Sequence, residues 1–131
     1  MSAEELSALF SQDFLAHVFP PERTDAFFDA LFGDPKEGAY DIRLSFLSGS
    51  EVLLNFAFEL HQRGNACLVC NLTHGLPHVF KRHPVINVDG LSKELARRAG
   101  WEDGAWDWHI GDTVEVSRAL HIVPLQLTKH G

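Results

Sequence analysis

Two runs of alternating residues, separated by the five positions Leu47 to Glu51, constrain this chain more than any other feature. Tyr40, Ile42, Leu44 and Phe46 alternate with Asp41, Arg43 and Ser45, and Val52, Leu54, Phe56, Phe58 and Leu60 alternate with Leu53, Asn55, Ala57, Glu59 and His61. A period of two is that of a strand with one buried face. Ser48-Gly49-Ser50 in the first gap and Arg63-Gly64-Asn65 in the next are turn sequences, and gaps this short admit only hairpins. Parallel neighbours need crossovers of about a dozen residues, so the pairing is antiparallel and a Rossmann-type nucleotide site is disfavoured.

The rest of the chain supplies helices and further strands. Ser2 with Glu5 forms a capping box, and Leu6, Leu9, Phe10, Phe14 and Val18 share one face of a helix running to about Phe19, where Pro20-Pro21 stops it. A second helix reads from about Pro21 to Phe32, with Phe27, Phe28, Leu31 and Phe32 apolar and Gly33 and Pro35 ending it. Ala66 to Thr73 reads as a third strand, followed by a short helix containing Val79 and Phe80 between the breakers Gly75, Pro77 and Pro84. Asp89 is the expected N-cap of a helix from Gly90 to Ala99, with Leu91, Leu95 and Ala99 inward, Arg97 and Arg98 against the helix dipole, and Gly100 closing the end. Trp106, Trp108 and Ile110 then alternate with Asp107 and His109, Gly111-Asp112 turns into Thr113 to Ser117, and a last strand runs from about Ala119 to Leu127. Pro124 cannot donate to a ladder, so that strand is expected at an edge or with a bulge. The predicted fold is a single α+β domain, residues 1–131. An N-terminal helical pair and a third helix pack on one face of an antiparallel sheet of five to six strands, arranged as a meander.

Charge narrows the partners. Asp and Glu number 18 against 11 Lys and Arg, a net charge of −7, which disfavours nucleic acid and anionic membrane surfaces. No apolar run approaches the roughly 18 to 20 residues of a membrane span, and the acidic start Met1-Ser2-Ala3-Glu4-Glu5 does not resemble a secretory signal. Cytoplasmic residence is the expectation, with Cys67 and Cys70 reduced.

Two constellations could carry chemistry. Cys67-x-x-Cys70-x-x-x-His74-x-x-x-His78 offers thiolates and imidazoles, the usual ligands of zinc. In a regular strand, however, positions 67 and 70 face opposite ways, and the same cysteines read equally as small buried strand residues. The second constellation is Trp106, Trp108 and His109, which with His83 could line a ligand site; such a stripe is also what a half-buried strand requires. Neither Gly-x-Ser-x-Gly nor a phosphate-cradling glycine loop occurs, no acid/base pair stands at a sensible spacing, and the reading leans away from an enzyme. The expectation is a small binding module for an apolar or aromatic molecule or a protein partner. The alternatives are a zinc-like metal protein using Cys67, Cys70, His74 and His78, and a self-associating structural protein that forms a homodimer through the Pro124 strand or the Trp face.

Overall fold

In the computed structural model, which describes residues 3–32, 40–64 and 75–130, the two alternating runs become a hairpin of β1 (Tyr40–Gly49) and β2 (Leu53–Gln62). The last strand, β5 (Leu120–Lys129), pairs antiparallel with β2, and β3 (Trp106–Ile110) and the two-residue β4 (Val114–Glu115) both pair with β5. The result is a five-stranded antiparallel sheet, ordered β1-β2-β5-β3 with β4 beside β5. Strand order departs from sequence order at one place, where β5 inserts between β2 and β3.

One face of this sheet is the core. Ile42 and Leu44, then Leu54, Phe56, Phe58 and Leu60, then Val123, Leu125 and Leu127, and Trp106 and Ile110 are buried there. They pack against Leu6 of α1 (Ala3–Leu9), Leu15 and Val18 of α2 (Gln12–Val18), Phe27 and Phe28 of α3 (Glu22–Phe32), Phe80 of α4 (Leu76–Arg82) and Leu91 and Leu95 of α5 (Val88–Arg98). Phe58 lies edge-on to Phe19 at 5.6 Å and to Phe80 at 5.2 Å, while Phe10 meets Phe56 at 5.0 Å. Burying each such ring contributes roughly 1.5–3 kcal/mol, so this dry aromatic layer is the main support of the fold. Burial without a compensating charge pushes the Tyr40 phenol well above its ordinary pKa.

Several local expectations are corrected. The continuous first helix is two, because the Ser11 hydroxyl accepts from the Phe14 N–H and starts α2 afresh; a serine that bonds the backbone locally favours a cap over a helix interior. The α5 cap is Asn87, not Asp89: Asn87 takes the left-handed conformation at φ 49° and accepts from the Gly90 N–H, leaving Asp89 in the first turn. Gly100, at φ 79°, follows the end of α5 as expected. The segment expected as a strand from Thr113 to Ser117 pairs only at Val114 and Glu115.

Pro124 is the largest correction, since β5 is a central strand. Its edge rule is satisfied locally. The Pro124 carbonyl accepts from the Gly111 N–H at 2.9 Å, and the N and C=O of one strand residue point the same way. The missing N–H therefore faces the break between β3, which ends opposite Leu125, and β4, which begins opposite Ile122. The Ser2 capping residue, the Gly33 and Pro35 stop and the strand expected at Ala66 to Thr73 lie outside the described residues.

Candidate binding site on the outer face of the sheet

Alternation sends the other half of each strand to the outer face. Exposed Arg43 and His109 stand there with half-buried Asn55, Glu59, Ile122, Pro124 and Gln126. The register on β1 changes within this face. Phe46 pairs with Phe56 and Ser48 with Asn55, so Leu47 is an extra residue, a bulge, and it is 52% exposed. One inserted residue switches the alternation and carries Ser48 to the outer face, next to Asn55.

Ser48, Asn55, Gln126 and His109 consequently form a row across β1, β2, β5 and β3. Asn55 Nδ2 donates to Ser48 Oγ at 3.0 Å, and Gln126 Nε2 donates to Asn55 Oδ1 at 3.1 Å. Each amide is thus hydrogen-bonded to a neighbour. The row lines a concavity of about 300 Å³ shared with Leu47, Gly111 and Pro124. None of the residues lining it is Asp, Glu, Lys or Arg. Chemically, the site offers hydrogen-bond donors and acceptors on an apolar ledge.

The residues singled out in the sequence do not converge. Of the aromatic group, only His109 joins this concavity. Trp106 and Trp108 lie on the helix-covered side: Trp106 is buried, and half-buried Trp108 donates from Nε1 to Asp89 Oδ1 at 3.2 Å, tying β3 to α5. Asp89 also pairs with Lys93, and the hydrogen bonds from Lys93 and then Trp108 hold its carboxyl below the usual carboxylate pKa. His83 follows α4, its ring 4.8 Å from Phe27 and its Nδ1 accepting from the Val85 N–H at 3.2 Å, which is a packing and turn role. Cys67, Cys70 and His74 lie outside the described residues, and His78 is exposed on α4. Among the described residues no group of three or more His, Cys, Asp or Glu is placed to hold a metal. Likewise, no helix among them is long and apolar enough to cross a membrane.

Asn55 and Gln126 are the candidate-site residues that sequence reasoning misses, and Ser48, expected in the turn, stands at the end of β1. Asn55 reads only as the polar half of an alternation, and its partner Gln126 lies in a strand whose pairing is not visible locally. Comparisons with protein-family models, curated proteins and solved structures find no match for this chain.

Proposed function

We propose that this chain is a small-molecule binding module that uses the outer face of its sheet. The observation that carries the reading is the hydrogen-bonded row Ser48, Asn55 and Gln126, ending at His109 and bordered by Leu47 and Pro124. Small-molecule sites combine apolar walls with a few placed polar groups, and a concavity of about 300 Å³ lies at the lower end of their usual sizes. Amides already held by one another lose less freedom when a ligand arrives, which favours binding. The net charge of −7 supports a partner that is neither nucleic acid nor an anionic membrane, and the module is proposed to act in the cytoplasm.

Ligand-detected NMR with a set of neutral aromatic fragments tests the reading, using the wild-type chain and Gly111→Leu. Gly111 has no left-handed backbone to strain, and a Cβ there meets Pro124 Cβ at 3.4 Å, an ordinary contact. The leucine therefore occludes the concavity while the fold is retained, as a melting curve checks. Fragments that bind the wild type and lose binding to Gly111→Leu support the proposal; fragments that bind both equally, or neither, overturn it.

A further inference from the structure

Resting on that reading, we infer the chemical class of the ligand: a neutral, planar heterocycle that presents an N–H donor beside a ring acceptor on one edge. The argument is a count of hydrogen-bonding capacity. A glutamine amide has two N–H donors and a carbonyl acceptor. Gln126 commits one N–H to Asn55 Oδ1, and its Oε1 has no partner among the described residues. One N–H and the C=O remain for a ligand. In the structure Asn55 points Nδ2 to Ser48 Oγ and Oδ1 to Gln126 Nε2. The C=O and N–H left open on Gln126 are complementary to a ligand that presents a donor and an acceptor. This is the pairing by which glutamine reads the amino and ring-nitrogen edge of adenine.

Charge and shape point to the same class. With no carboxylate lining the concavity, a cationic ligand would lose hydration without gaining a counter-charge, and no lysine or arginine is there to pair with an anionic one. Exposed Leu47 and the Pro124 ring supply apolar surface for a flat ring, and about 300 Å³ suits a compact ring system. His109, at the far end of the row, adds one further donor or acceptor.

The test uses the full chain with three probes, the two purines methylated at N9 so that no ring N–H adjoins N3: adenine, purine, which then lacks any donor, and indole, which lacks the ring acceptor. Isothermal titration is expected to give adenine an affinity at least about tenfold above purine, the size of one good bidentate contact. That preference disappears in Gln126→Leu, and also in Gln126→Glu, which keeps the shape of the side chain and removes the donor. Purine or indole binding as tightly as adenine, with binding still lost in Gly111→Leu, overturns the ligand class and leaves the outer-face reading standing. Absence of binding by all three probes, or binding that ignores Gly111→Leu and both Gln126 variants, overturns both.

Discussion

Gln126 donates to Asn55 across the β2–β5 ladder at 3.1 Å, although the two residues are 71 positions apart in the chain. Asn55 is the hinge of the row, since it accepts from one neighbour and donates to the other. Truncation by Asn55→Ala removes both bonds but leaves Gln126 half-buried and Ser48 exposed, able to hydrogen-bond with water. The expected loss is therefore modest, about 1 kcal/mol. Urea denaturation is expected to show a lower midpoint with an unchanged slope, because the surface exposed on unfolding is nearly the same. Ligand affinity falls further than stability does.

The α5 cap gives a coupled prediction. A Cβ on Gly90 would collide with Asn87 Nδ2, so the cap and an alanine at position 90 exclude each other. Gly90→Ala is expected to destabilise the protein even though alanine is favoured in helices by about 1 kcal/mol. In an Asn87→Gly background the obstructing side chain is gone, and glycine keeps the left-handed backbone at little cost. There Gly90→Ala becomes stabilising. Denaturation of the four proteins in this double-mutant cycle checks it, and additive changes would contradict the packing described.

Among the described residues β1 is an edge strand, and Thr24 guards it. Its buried hydroxyl accepts from the Ile42 N–H at 3.1 Å and donates to the Ile42 carbonyl at 3.3 Å, occupying outward backbone groups of edge strand β1. Thr24→Val keeps the shape and leaves both groups unpaired, at an expected cost of about 1–3 kcal/mol. It also lengthens an open edge, so concentration-dependent association is expected in light scattering. A variant as stable and as monodisperse as the wild type would refute the guarding role.

Asp89 couples stability to acid. Hydrogen bonds from Lys93 and Trp108 hold its folded-state pKa below the ordinary 3.8. A depressed carboxyl stabilises the fold above the unfolded-state pKa, and that contribution is lost as pH falls through the folded value. The window therefore lies below about pH 4, and the effect is small because the group is exposed. The indole N–H resonance of Trp108 is expected to move across that range and to become insensitive to it in Asp89→Asn.

How much of this is legible in the sequence depends on the range of the interaction that decides it. The β1–β2 hairpin is legible because alternation and a short gap both act locally. Asn87 and Asp89 satisfy the same capping preference, and only the left-handed backbone at residue 87, which asparagine tolerates well, separates them. Pro124 obeys its rule at a break between two flanking strands, a third arrangement that edge-or-bulge reasoning does not include. The outer-face row is the least legible part. It needs the Leu47 bulge to turn Ser48 outward and the pairing of β2 with β5 to bring in Gln126, and both are tertiary outcomes. The Trp stripe is conspicuous for a bulk that serves the α5–β3 packing instead.

The central claim is that the outer face, not the Trp-bearing side, receives the ligand. Residue-resolved amide NMR of the labelled chain titrated with adenine tests it most directly. The expected result is a set of shifts confined to Ser48, Asn55, His109, Gly111 and Gln126, saturating together. Shifts centred on Trp106, Trp108 and α5, with the outer-face residues unmoved, would contradict it.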